Sequence, residues 1–293
     1  MSARVLRRPS AVAALVILAI VIFMCAFGAL LSPYGALHQD VSAINQGPSG
    51  HHLFGTDYLG RDVLSRLMAG TRLSVLAALE AVGIAVVLGT IPGIAAGVVG
   101  GWLDWWLSRI VDALMTLPAI ILAVAVTAAI GNGLTQAMAP IGVLMAPLFF
   151  RVIRAATLEF AHTQYVEAAT LLGAGRWRVI RVHVLRKVLP TLAVTAASAA
   201  AYALLTVSFL TFLGIGVEPP TPTWGGVLSS DLEYLAQAPW APFIPGAVIA
   251  LTVGALNALA DAVRDHVPAH QLPAIVDPIL ALPEPSHGDL SAA

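Results

Sequence analysis

The sequence predicts an all-α polytopic membrane protein with six transmembrane helices. Three observations lead there. Of 293 residues, 58% are hydrophobic and 11% charged, whereas a soluble domain is about a quarter charged. Mean hydropathy is +0.86, which leaves too little polar side chain to cover a globular surface in water. Six apolar stretches approach the roughly 20 residues needed to cross a bilayer, and the basic residues gather on one side of them.

The stretches are 11–31, 73–99 with Pro92 inside it, 109–130, 134–156, 191–213 after Pro190, and 241–263. In hydrocarbon every backbone N–H and C=O needs an internal partner, so these segments are helices. Six spans put Arg4, Arg7, Arg8, Arg109, Arg151, Arg154, Arg176, Arg178, Arg181, Arg186, Lys187 and Arg264 on one side. Of the 15 Lys and Arg residues, only Arg61, Arg66 and Arg72 remain for the other. The positive-inside rule then makes both termini cytoplasmic in a multi-pass cell (inner) membrane protein. A cleaved signal peptide is the alternative for the first stretch. That stretch is longer than the usual apolar core of about 7–15 residues, and five spans would spoil the charge asymmetry. A single cysteine, Cys25, excludes an intrachain disulfide.

The chain therefore divides into a cytoplasmic N-terminus with the first span (1–31), an external loop (32–72) and a transmembrane core (73–265). The core carries a cytoplasmic loop at 158–190 and a proline-rich external loop at 214–240, and a proline-containing cytoplasmic tail follows at 266–293. In the first external loop, 62–69 reads as a short amphipathic helix with Asp62 and Arg66 paired at i, i+4.

The cytoplasmic loop contains Tyr165-Val-Glu-Ala-Ala-Thr-Leu-Leu-Gly173. Thr163 is its expected N-cap, and Gly173 and Gly175 its stop. A second, basic helix starts near Arg176, and Pro190 opens the fifth span, where its missing N–H costs nothing. The small side chains of Ala168 and Ala169 permit close approach of a partner, and Glu167 offers it a charge. On the residues alone, a connector resting its arginines on anionic headgroups explains the loop better.

Glu167-Ala168-Ala169, three residues and then Gly173 resemble the EAA motif of membrane subunits of bacterial ABC importers. Gly55-Thr-Asp57-Tyr-Leu-Gly60-Arg61-Asp62-Val-Leu-Ser-Arg66 is similar to the external segment of the peptide and nickel permease subfamily. Phe212-Leu-Gly214-Ile-Gly216-Val-Glu-Pro219-Pro220-Thr-Pro222-Thr-Trp224-Gly225 is similar to the segment after its fifth span. Ala238-Pro239-Trp240 and 257–265 continue the likeness, which covers about 52–265 and is closest to the dipeptide/oligopeptide permease C subunit. One departure stands out: the family's Leu-Pro would fall at 185–186, where this chain has Leu185-Arg186.

The resemblance implies a type I, MetI-like fold forming half of a translocation pathway for dipeptides or oligopeptides. It implies as partners a homologous second permease subunit, two ATP-binding subunits or one fused pair, and an external substrate-binding protein. ATP and Mg would be bound by those partner subunits, and no cofactor by this chain. Tyr165, Glu167, Ala168, Ala169, Leu172 and Gly173 would form the ATPase-coupling helix. The external segments with Asp57, Arg61, Asp62, Arg66, Pro219, Pro220 and Trp224 would contact the binding protein. Nickel or another peptide-like solute is the alternative cargo.

Glu80, inside the second span, is a candidate pathway residue or a polar contact to a neighbour. Asp104, Arg109 and Asp112 read as an interfacial network. Asn257, Asp261 and Arg264 read as a polar seam on the sixth span, with Asn257 the second pathway candidate. Trp102, Trp105 and Trp106 suit an interfacial aromatic belt. His38, His51 and His52 suit a solvated loop, and no metal site is expected. No phosphate-binding glycine loop appears, so the chain is expected not to hydrolyse ATP itself. Nor is there a catalytic constellation or a basic aromatic surface for nucleic acid. An ion-coupled secondary transporter would need a midplane ionisable pair and often an inverted repeat, and neither is visible.

Overall fold

The computed structural model describes residues 9–161, 163, 175, 178 and 185–265. Eight α-helices occupy them: α1 (Pro9–Leu31), α2 (Val63–Val99), α3 (Gly101–Met115), α4 (Ala119–Ile130), α5 (Leu134–Ala161), α6 (Leu185–Phe212), α7 (Trp224–Glu233) and α8 (Phe243–Arg264). No strand occurs among the described residues. Five helices are long and apolar enough to cross a membrane, and α3 with α4 makes a sixth if the bent pair counts as one span.

The centre of the fold is the pair α2 and α5. Gly89, Gly93 and Gly97 recur at every fourth position of α2 and face Ala146 to Thr157 of α5. A Cβ on Gly89 would lie 2.4 Å from the Ala146 carbonyl oxygen, and one on Gly97 2.6 Å from Thr157. Without a hydrophobic drive between helices in lipid, such close backbone approach supplies the packing. Around this pair Met138, Ile141, Phe149, Leu204, Leu210 and Trp224 form the main buried cluster. The outer surface is apolar. Ile22, Phe23 and Leu30 of α1 and Ile91 of α2 are all more than half exposed, as suits side chains that meet lipid.

Several sequence expectations change. The short helix at 62–69 and the second span are one helix of 37 residues, about 55 Å long. Gly70 is the weakest helix former between them, and one glycine costs about 1 kcal/mol, too little to end a helix of this length. The helix exceeds the roughly 30 Å hydrocarbon core, so one end projects beyond it. The third span is broken. Thr116-Leu117-Pro118 separates α3 from α4, and the two meet at 81°. Pro118 has no N–H to donate and disfavours the helical conformation of the residue before it.

Pro190 does not open the fifth span but lies inside α6, which runs continuously from Leu185 through Arg186. Its ring leaves the Arg186 carbonyl without an intrahelical donor. Thr163 donates its hydroxyl to the Phe160 carbonyl at 2.7 Å, closing the end of α5. The helix it was expected to cap, with Tyr165, Glu167, Ala168, Ala169, Leu172 and Gly173, lies outside the described residues, as does the tail from 266 onwards.

The three tryptophans lie on α3 and are all more than half exposed, with Arg109 stacked 5.9 Å over Trp105. Asp104 is bound by Arg154 of α5, and Asp112 by Arg151 of α5 at 2.8 Å, with Arg109 at 3.9 Å. The interfacial network expected around Asp112 thus joins two helices.

Candidate functional site

One face of the bundle is built from the loop before α2 and the segment between α6 and α8. Asp57 organises the first of these. Its Oδ1 accepts the backbone N–H groups of Leu59 and Arg61, each at 2.9 Å. Its Oδ2 accepts Arg61 Nε and Arg66 Nη1, each at 2.7 Å. The turn depends on Gly60, which sits at φ +71° and whose missing Cβ would fall 1.9 Å from the Asp40 carbonyl oxygen. That conformation and that space both exclude a side chain.

Asp62 is the N-cap of α2. Its Oδ2 accepts Ser65 N at 2.8 Å and Ser65 Oγ at 2.6 Å, satisfying an otherwise orphan donor of the first turn. Its Oδ1 faces His52 Nδ1 at 3.0 Å. Two expectations are corrected here. Asp62 does not pair with Arg66, because the cap turns its carboxylate towards Ser65 while Arg66 reaches Asp57. His52 is buried rather than solvated, between Asp62 and the ring of Tyr34 at 4.8 Å.

The second segment is anchored by Trp224, the first residue of α7, which is 1% exposed. Its backbone N–H donates to Ser74 Oγ at 3.1 Å, and its Nε1 donates to the Leu67 carbonyl and to Thr71 Oγ1, each at 3.3 Å. The stacked rings of Tyr58 and Tyr234, 4.4 Å apart, join the two segments. Asp57, Arg61, Asp62, Arg66 and Trp224 are all buried. These side chains were expected to meet an external protein directly. In this chain they hold the loops together, and the accessible surface there belongs to Pro219, Pro220 and their neighbours.

Asp231 of α7 carried no signal singled out from the sequence. It is 3% exposed and its Oδ2 has no hydrogen-bond partner. Burial, and after it the charge of Asp57, push its carboxyl up to about 7, against the pull of Arg66 and Arg61. Its spacing offered a clue: Trp224, Val227 and Asp231 fall on one buried stripe of α7. Beside this cluster a cleft of about 450 Å³ is lined by Tyr58, Arg61, Arg66, Pro219, Ser230 and Glu233, among others.

The two pathway candidates lie apart from it. Glu80 is half-buried on α2, and its Oε2 accepts the Thr135 hydroxyl of α5 at 3.2 Å. Asn257 is exposed on α8. On the same helix Asp261 and Arg264 face each other at 3.9 Å.

The family model described as binding-protein-dependent transport system inner membrane component matches residues 85–271. The chain belongs to that family. A further model, the N-terminal transmembrane domain of oligopeptide transport permease C, matches residues 2–48 of this permease. It is 35% identical to the glutathione transport system permease protein GsiD of Pectobacterium atrosepticum, over 89% of this chain and 87% of that one. It is 36% identical to the di/tripeptide transport system permease protein DppC of Pseudomonas aeruginosa, over 87% and 86% of the chains. It is 35% identical to the probable D,D-dipeptide transport system permease protein DdpC of Escherichia coli, over 88% and 86%. The permease also resembles a chain of the MetNI methionine ABC transporter in an inward-facing conformation, with a TM-score of 0.57 and 21% identity over 70% of this chain and 96% of that one. That likeness shows the shared fold.

Proposed function

We propose that this permease forms half of a translocation pathway for small peptides, in an importer driven by separate ATPase subunits and fed by an external binding protein. The observation that carries the cargo is the agreement of three relatives, named for glutathione, di/tripeptides and D,D-dipeptides, each matched over more than four-fifths of both chains.

A homologous second permease subunit would complete the pathway. Arg186 and Lys187 begin α6 and Arg264 ends α8, at the helix ends opposite the Asp57–Trp224 face, while Arg109 lies on α3 and Arg151 and Arg154 on the later part of α5. That asymmetry supports a cytoplasmic position for those ends and for both termini. The Asp57–Trp224 face is then external and meets the binding protein through Pro219, Pro220 and the surface held by Asp57, Arg61, Asp62 and Arg66. Tyr165, Glu167, Ala168, Ala169, Leu172 and Gly173 form the helix that docks on an ATPase subunit. ATP binding moves that helix as a rigid body and switches the pathway between inward- and outward-facing forms. Glu80 and Asn257 line the pathway, and ATP and Mg are held by the ATPase subunits.

The test is the reconstituted complex with its binding protein, assayed for ATPase stimulation and uptake across a panel of dipeptides, tripeptides and nickel. Peptide-stimulated turnover is expected, and Gly173→Asp is expected to leave ATP hydrolysis running without uptake. Stimulation by nickel alone, or full coupling in the Gly173→Asp complex, would reject the corresponding part of the reading.

A further inference from the structure

We infer that the cleft beside α7 is a docking subsite for a small zwitterionic peptide, its carboxylate on Arg61 and Arg66 and its ammonium on Glu233. This rests on the peptide-import reading and adds where on this chain the peptide is first held.

Size comes first. About 450 Å³ lies within the roughly 300–1,000 Å³ typical of small-molecule sites and suits two or three residues. The polarity is two-sided. Arg61 and Arg66 line the cleft and are 4% and 5% exposed, and Glu233, exposed at the end of α7, lines it too. Ser229 and Ser230 line the cleft as well, and their hydroxyls suit peptide amide groups.

The arginines have donors to spare. Asp57 engages Arg61 through Nε and Arg66 through Nη1, and both of its oxygens are fully occupied. Arg66 Nε is buried with no hydrogen-bond partner, a costly state for a charged donor. Asp231, the remaining acid beside them, makes no hydrogen bond through Oδ2, and its burial favours the protonated form. Two guanidinium groups therefore share the single carboxylate of Asp57. The flat guanidinium fork fits a second carboxylate in two-point fashion, and a peptide C-terminus supplies one. An anion without an amine would meet repulsion from Glu233, and an amine without a carboxylate would leave Arg66 unsatisfied.

The test uses the complete transporter in lipid nanodiscs, without the binding protein, titrated with the dipeptide Ala-Phe by calorimetry. Ala-Phe is expected to bind, with its C-terminal amide and its N-acetyl form each weaker by about tenfold or more. Glu233→Gln, a surface change that spares the fold, is expected to abolish the preference for a free amine while keeping that for a free carboxylate. Arg61→Lys keeps the charge but not the fork, and is expected to weaken Ala-Phe and leave its amide unchanged. Equal binding of free and blocked peptides, no binding at all, or no effect of Glu233→Gln would overturn the subsite. Uptake of the peptide panel with binding protein present is measured in parallel. Uptake without cleft binding removes the subsite alone, whereas uptake of no peptide removes the import reading beneath it.

Discussion

The indole Nε1 of Trp224 donates to the Leu67 carbonyl at 3.3 Å, joining positions 157 residues apart in the chain. Leu67 lies in the second turn of α2 and Trp224 begins α7, so this contact pins the segment between α6 and α8 onto the central helix pair. Thr71 Oγ1 accepts from the same Nε1, and Ser74 Oγ accepts the Trp224 backbone N–H. Three successive turns of α2 thus hold one residue of α7.

Removing that anchor should loosen the whole face. Trp224→Ala is expected to destabilise the permease by about 3–5 kcal/mol, and Trp224→Phe, which loses the indole N–H and part of the volume, by about 1–2 kcal/mol. Thermal melting of the purified complex checks both. A Trp224→Ala protein that melts with the wild type would remove the anchor role.

Asp231 should make stability depend on pH near neutrality. Its folded pKa of about 7 lies above the ordinary 3.8, so the folded chain holds the proton more tightly than the unfolded one. The stabilising contribution is complete below about pH 4 and is lost as pH rises through about 7. Asp231→Asn has no such proton to lose. Its melting temperature is expected to fall less than that of the wild type between pH 4 and pH 8, and to exceed it at pH 8. Parallel curves for the two proteins would contradict this.

The glycine ladder between α2 and α5 predicts a position-specific effect of a single methyl group. Gly89→Ala places Cβ 2.4 Å from the Ala146 carbonyl oxygen, whereas at Gly83 nothing lies within 4 Å. Gly89→Ala is expected to lower stability by about 1–3 kcal/mol as the helices are forced apart. Gly83→Ala is expected to be neutral or better, because alanine is the stronger helix former. Folded yield and melting temperature of the two variants decide the matter.

Much of this is legible in the sequence. The apolar stretches are summed properties of neighbouring residues, and α1, α5, α6 and α8 appear where those sums peak. The Gly55–Arg66 motif is legible too, but its burial is not. Asp57, Arg61, Asp62 and Arg66 look like surface charges, because charged side chains are rarely buried unless paired. The pairing partner of Arg66 is nine residues away rather than four, so no helical spacing reveals it. Gly89, Gly93 and Gly97 recur at every fourth position. Their partner on α5, more than 50 residues later, is not legible from that spacing.

The Asp57–Arg66 segment, read as a contact surface, has its charged side chains buried and bound to one another or to the helix start. By itself the sequence determined the spanning helices, the uneven placement of basic charge, and the family, because these depend on local composition and on contiguous motifs. Only the tertiary structure decided which charges are buried, that 62–69 belongs to α2, that the third span breaks before Pro118, and that Arg61, Arg66 and Glu233 share one cleft. Those outcomes depend on side chains far apart in the chain meeting in three dimensions, where burial turns an ordinary surface charge into one that must find a partner.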